Sequence, residues 1–332
     1  MAQKHRVLVV GVGSIGERHT RCFLKTGRAD VSICEVNTEL RRRVSSQHGD
    51  LPAYSDFDAA MKDPFDAAVV AVPAHMHIDM AIKLAEKKIH TLCEKPLSTS
   101  FKNIDRLADA IKASGIKFVV GYTWRSNPVA LAFKAALDSG QFGRPVEMIL
   151  TSGQFFPHYR PAYRNIYYAK RESGGGVVQD ALTHMLNLGE WLLGPITKLT
   201  ADHAHLLLED VTVEDTAHVI ARHGPVLASY AYNQTQMVNE STITIVTTKG
   251  TLRMEGHERR WRWMDKPDGQ WKDEVLPPME RDTAYINQAD AFLDAVEGKG
   301  PLRCTLEEAL QTLKVNLATL KAADEQVWQT IE

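Results

Sequence analysis

Long apolar runs are the first absence in this chain. No stretch approaches the ~20 consecutive apolar residues of a helical membrane span. The early apolar run from Val7 is short and ends in glycines, unlike a secretory leader. Cysteine is sparse as well. Cys22, Cys34, Cys93 and Cys304 are scattered without metal-ligand spacing. That excludes a zinc module and a disulfide framework; the expectation is reduced thiols in a cytoplasmic protein and no metal. Charge of one sign is missing too, with 39 Lys and Arg against 41 Asp and Glu. Such a balance supports no nucleic-acid partner and no membrane-surface partner. Heptads, low-complexity tracts and internal repeats are absent, so coiled coils and solenoids drop out.

What remains is an ordinary globular composition, 44% hydrophobic and 24% charged. Its 332 residues exceed what one core usually fills, so two domains are expected. The densest signal is Val7-Leu8-Val9-Val10-Gly11-Val12-Gly13-Ser14-Ile15-Gly16. Four apolar residues read as a buried parallel strand, and the glycines fall at G-x-G-x-x-G. Gly11 allows the tight turn, Gly13 lets a diphosphate approach the backbone, and Gly16 lets the following helix pack on the strand. That helix, opening at Ser14 and Ile15, would present unpaired N–H groups to phosphates. A second buried run, Val31 to Cys34, ends in Glu35. This places an acid about 20 residues beyond the loop, where it accepts hydrogen bonds from an adenosine ribose.

The first third alternates strands and helices, which predicts a doubly wound parallel sheet, α/β in class, over residues 1–124. Ligands in such sheets sit at the carboxyl ends of strands, where Pro73, Glu94 and Tyr122 fall. From 125 to 332 the texture changes to long alternating strands joined by short turns, predicting an α+β domain with a large, mostly antiparallel open sheet. A helix from about Leu306 to Trp328 closes the chain, with a capping-box pattern at Thr305 and Glu308. A free sheet face suits a homodimer or homotetramer. Trp261, Trp263 and Trp271 lie in a Gly/Pro-punctuated segment that reads as an arm toward a neighbouring subunit.

Two further stretches carry chemistry. In Cys93-Glu94-Lys95-Pro96 a lysine at a strand end can polarise a substrate oxygen, with Glu94 orienting or balancing it; the alternative is a solvated lysine in a surface turn. After Gly174-Gly175-Gly176 the sequence reads as a helix placing Asp180 and His184 on one face. A carboxylate beside an imidazole suits a general acid/base, although a surface ion pair has the same spacing.

Together these residues resemble the Gfo/Idh/MocA family, the glucose-fructose oxidoreductase and inositol dehydrogenase group. The resemblance rests on the glycine loop, on Pro73 and His77 as P-x-x-x-H, on Glu94-Lys95-Pro96 as E-K-P, and on Asp180 and His184 as D-x-x-x-H. It implies that Lys95 positions and polarises the reacting hydroxyl, next to a cis Lys95–Pro96 bond. His184 would be the acid/base and Asp180 its partner. Gly11, Gly13, Ser14, Ile15, Gly16, Glu35, Pro73, His77 and Glu94 would hold the cofactor. The run from Gly121 looks like the start of the substrate domain, making Arg125 and Asn127 substrate contacts. One departure is Asn187, where many members carry Asp.

Glu35 would repel a 2′-phosphate, so NAD is expected rather than NADP, although Arg41, Arg42 and Arg43 stand nearby. The aromatic and arginine-rich run from Phe155 to Arg171 supplies Tyr159, Arg160 and Tyr163 as contacts for a carbohydrate-like substrate, or else anchors a lid. The implied activity is hydride transfer between NAD and a secondary hydroxyl of a sugar, cyclitol or sugar derivative. The same residues would serve an NAD-dependent glycoside hydrolase working by transient oxidation and elimination, and the same fold would serve a non-catalytic sugar sensor.

Overall fold

The structure, a computed structural model, describes residues 4–332. The chain forms two compact units. One takes the chain up to Ser126 together with Glu280–Ala309; the other takes Asn127–Met279 and Leu310–Glu332. The second domain expected as one block is therefore interrupted.

The first unit runs β1 (His5–Val10), α1 (Ser14–Lys25), β2 (Ala29–Cys34), α2 (Thr38–Gln47), β3 (Ala53–Tyr54), α3 (Phe57–Ala60), β4 (Ala67–Val70), α4 (His77–Glu86), β5 (His90–Cys93), α5 (Ile104–Ser114) and β6 (Phe118–Val120). All strands pair in parallel in the order β3-β2-β1-β4-β5-β6. Order reverses between β1 and β4, so the ligand crevice lies beyond their carboxyl ends. Val7, Leu8, Val9 and all four residues of β4 are buried because both sheet faces are covered. Asn37 caps α2 by accepting from the Leu40 N–H at 2.9 Å.

The second unit begins with α6 (Pro128–Asp138), β7 (Pro145–Gly153), α7 (Phe156–Tyr159) and α8 (Thr183–Leu193). There follow β8 (Lys198–Ala204), β9 (Thr216–His223), β10 (Val226–Asn233), β11 (Glu240–Thr247), β12 (Gly250–Glu255), β13 (Arg260–Met264) and β14 (Lys272–Val275). α9 (Thr283–Val296) then belongs to the first unit, where Phe292 meets Phe23 edge-on at 6.3 Å. α10 (Leu306–Glu325) opens with the expected capping box, the Thr305 N–H donating to Glu308 at 2.8 Å and the Glu308 N–H to Thr305 Oγ1 at 3.3 Å. It ends three residues before the expected Trp328, and β15 (Gln329–Thr330) follows.

The nine strands of the second unit lie in the order β14-β13-β12-β11-β7-β10-β9-β8-β15. Every pair is antiparallel except β7 with β10. Alternation along β9 and β10 buries Ala217, Val219, Ala221, Ala228 and Tyr230 on one face. The tryptophan segment is no arm: Trp261 and Trp263 stack at 4.8 Å on β13, and Trp271 lies against Arg253 and Arg262.

Two expectations for stability follow. A Cβ on Gly16 would overlap the Gly11 carbonyl oxygen, which is backbone and cannot yield. Gly16→Ala should therefore cost about 3 kcal/mol or prevent folding, measured by denaturant unfolding. His223 is buried, bonded through Nδ1 to the Gly194 carbonyl at 2.6 Å and through Nε2 to Tyr230 at 2.7 Å. Burial lowers its pKa to about 4. Its neutral form is the one the fold accepts, so its contribution is complete above the unfolded value near 6.5 and is lost as pH falls from there toward 4. His223→Asn should flatten the stability profile across that window.

Candidate active site

Phosphate recognition starts from what caps α1. Gly13 occupies the N-cap position in an extended conformation and offers no side chain, so the first N–H groups of the helix are left for a ligand. Gly13 and Ser14 are exposed, and a Cβ on Gly13 would enter open space. Gly11 has φ +80, and a Cβ there would lie 2.8 Å from the Ala71 carbonyl oxygen. These features fit a bound dinucleotide. A cavity of about 280 Å3 beside Gly13 and Ser14 is lined by Arg18, Arg21, Arg43 and Arg281, with Glu17 as its carboxylate.

Glu35 directly follows β2, with both oxygens engaged. Oε2 accepts from the Val12 N–H at 3.0 Å and Oε1 from the Asn37 N–H at 2.9 Å. The acid is thus fixed against the glycine loop. Arg41 donates to the Glu35 carbonyl at 2.6 Å, which draws that guanidinium to the backbone.

Lys95 is half-buried just beyond β5, and its peptide to Pro96 is cis. Its backbone N–H donates to Glu94 Oε2 at 3.0 Å. The other oxygen, Oε1, meets His19 Nε2 at 2.7 Å. Glu94 and His19 are both buried, and a Cβ on Gly121 would lie 3.1 Å from Oε1. His19 did not figure among the expected residues. Its signal, a histidine three residues after the glycine loop on the inward face of α1, is visible only once α1 and β5 are known to adjoin.

His77 serves the same turn from below. Its Nδ1 lies 2.9 Å from the Pro96 carbonyl and its Nε2 2.8 Å from the Val72 carbonyl. Burial lowers its pKa, although both carbonyls oppose that. With 1% of its surface exposed, His77 braces the turn through these two carbonyls. Pro73 is exposed beyond the carboxyl end of β4.

In the second unit two of the three glycines make room for a carboxylate and a carbonyl. A Cβ on Gly176, at φ +85, would overlap the Glu214 carboxylate; one on Gly175 would overlap the Tyr168 carbonyl. Glu214 in turn receives the Val177 N–H on its carbonyl at 2.8 Å and the Val178 N–H on Oε1 at 3.2 Å. The helix then opens as a π turn, Val178–Leu182, before α8. Asp180 lies in this turn and His184 is the second residue of α8. Such single π turns gather at functional sites, and nothing in the sequence announced this one. The Tyr167 hydroxyl donates to Asp180 Oδ1 at 2.6 Å.

The remaining expected residues divide. Tyr159 is exposed and Arg160 half-buried. Tyr163 is 2% exposed, donates to the Glu209 carbonyl at 3.0 Å and packs on Phe156 and Tyr168, so it is a core anchor. Arg125, also 2% exposed, binds Glu308 and donates to the Arg303 carbonyl at 3.0 Å, which makes it a tie within the first unit. Asn127 caps α6, accepting from Val129 and Ala130. Asn187 is buried and donates to Thr312 at 2.9 Å. No group of three or more His, Cys, Asp or Glu among the described residues could hold a metal ion.

The model for the GFO/IDH/MocA oxidoreductase family, NAD-binding Rossmann fold, matches residues 5–122, and the GFO/IDH/MocA C-terminal domain matches residues 130–253. The chain is 24% identical over 330 residues to a myo-inositol 2-dehydrogenase of Thermotoga maritima, covering 96% of each chain. It is 28% identical over 312 residues to an inositol 2-dehydrogenase of Pseudomonas syringae, covering 87% of this chain and 85% of that one. A levoglucosan dehydrogenase solved in complex with NADH and levoglucosan shares the fold, with a TM-score of 0.89 at 21% identity over 99% of this chain and 100% of that one. The protein belongs to the GFO/IDH/MocA family of oxidoreductases, and its first unit is an NAD-binding Rossmann domain.

Proposed function

We propose that the protein is a dehydrogenase that oxidises a secondary hydroxyl of a sugar, cyclitol or sugar derivative. The observation that carries this reading is Lys95, half-buried at the carboxyl end of β5, one strand from the crevice that holds the cofactor, its backbone fixed by Glu94. The relatives named for inositol and levoglucosan act on a cyclitol and an anhydrosugar, which supports the substrate class. Lys95 polarises the hydroxyl, and His184, with Asp180 as its partner, takes the proton. When bound, NAD supplies the hydride acceptor. Gly11, Gly13, Ser14, Ile15, Gly16 and Glu35 hold it, and Pro73 and Glu94 border it. Tyr159 and Arg160 line the approach to substrate.

Purified protein with NAD and a panel of cyclitols, free sugars, sugar acids, nucleotide sugars and aryl glycosides tests this. NADH should accumulate with one substrate group. Aglycone release without net NADH would replace the reading by redox-cycling glycoside cleavage. Lys95→Ala and His184→Ala should each lower kcat by about 10²-fold or more while NAD binding persists. Full turnover in either variant would remove its residue from the mechanism.

We also propose a cytoplasmic homo-oligomer built on the open face of the nine-stranded sheet. All four cysteines are buried thiols, and no helix among the described residues is long and apolar enough to cross a membrane. On that face Ile220, Ser229, Ile149 and Thr244 stand in register across four strands, an uncharged row with both isoleucines exposed. In a neighbouring row Leu227 stands between Arg222 and Glu147. A two-fold axis would set the arginine of one copy against the glutamate of the other. Ile149→Arg together with Ile220→Glu should lower the mass seen by light scattering to that of a monomer; an unchanged mass would move the interface elsewhere.

A further inference from the structure

Asp180 sits among phenols. Tyr167, in the turn Tyr167–Ala169, is 40% exposed and donates its hydroxyl to Asp180 Oδ1 at 2.6 Å. Behind it, Tyr168 of the same turn and Tyr232 of β10 are buried. Burial, and then the Asp180 charge, push the Tyr168 hydroxyl well above its usual range and Tyr232 up to about 12. Both therefore stay neutral throughout the working range.

The other charged groups nearby are tied to backbone. Glu214 receives the Val178 N–H at 3.2 Å, with Arg171 at 3.6 Å from its other oxygen. Asp215 accepts from the N–H groups of Leu206, Leu207 and Leu208 at 2.8–3.1 Å. In the helix that continues from the π turn, the group whose ordinary range spans neutral pH is His184, four residues beyond Asp180 in the chain.

A phenol donating to a carboxylate is a charge-assisted bond that disperses the anion's charge and fixes the direction of its lone pairs. It can do so only while the carboxylate is ionised, so it favours that form. Dispersed charge stabilises a neighbouring imidazolium less than concentrated charge does. From this arrangement we infer that Tyr167 is a positioning residue, whose hydroxyl fixes the Asp180 carboxylate and restrains the proton affinity of His184. The inference deepens the role of His184 proposed above and rests on that reading for the Asp180–His184 pairing as well as for its place in turnover. Tyr167 thereby keeps the imidazole neutral, and able to accept a proton, at lower pH than an undamped aspartate would allow.

Tyr167→Phe deletes one oxygen and keeps the ring, so the fold should survive. The titration of the His184 ring can be followed by NMR without substrate, its signals assigned by their loss in His184→Gln. In Tyr167→Phe the His184 midpoint should rise by about half to one pH unit. In Asp180→Asn it should fall, and adding Tyr167→Phe to that variant should shift it no further. An unmoved midpoint in Tyr167→Phe, or an equal shift in the Asp180→Asn background, would overturn the inference. With substrate, the acidic limb of kcat/KM for oxidation should move upward by the same interval, which a merely structural loss of activity would not produce. Because the titration needs no turnover, failure of the proposed dehydrogenase activity would show separately, as absent NADH with the His184 shift intact.

Discussion

The chemistry of the first unit depends on one buried carboxylate. Glu94 divides its two oxygens between the backbone N–H that precedes the Lys95 side chain and the imidazole of His19 on the cofactor helix. A buried carboxylate without partners costs several kcal/mol, so both bonds are structurally obligatory. Their effect is geometric. The helix that opens the glycine loop and the turn that presents Lys95 cannot shift independently, because the same side chain holds both. His77 completes the restraint, set between the Pro96 and Val72 carbonyls. The ammonium of Lys95 thus projects from a turn whose backbone is held on two sides.

The second unit solves a similar problem with a different device. Glu214, 2% exposed, takes the place that a Cβ on Gly176 would fill and accepts from the start of the π turn. A carboxylate at a helix N-terminus is favoured by the helix dipole as well as by the N–H groups it satisfies. The π turn then carries Asp180 and hands on to α8 at Thr183, with His184 next. In both units the candidate side chain is only partly buried, while the carboxylate that orders its backbone is buried and hydrogen-bonded to a backbone N–H. This is how a site is kept accessible without being loose.

Signals that depend on local chain chemistry were readable before the structure. The glycine loop, the strand–helix alternation, the acid after β2 and the capping box at Thr305 and Glu308 each follow from neighbours within a few residues. Residues whose role depends on tertiary partners were not. Arg125, Asn127 and Tyr163 carry polar groups suited to substrate, but Glu308, the first turn of α6 and the Glu209 carbonyl take them instead. His19 and Tyr167 were missed for the converse reason, since their partners lie 75 and 13 residues away. α9 went unassigned although it is amphipathic. It belongs to the first unit, where its apolar face packs among Phe23 and Val31, and no sequence pattern says which unit a helix will join.

The preference for NAD also comes from how an acid is held more than from its presence. Glu35 spends one lone pair of each oxygen on the backbone N–H groups of Val12 and Asn37. A carboxylate has about four lone-pair sites, so each oxygen can still accept a ribose hydroxyl. A 2′-phosphate would instead meet an anion fixed in place by the loop itself, which cannot turn aside without releasing two N–H groups. The arginines that follow do not reverse this. Arg41 is drawn to the Glu35 carbonyl, and Arg43 lines the cavity beside Ser14, on the diphosphate side of the loop. Positive charge in this unit therefore gathers where every dinucleotide carries its phosphates, and negative charge stands where only the phosphorylated one would place another.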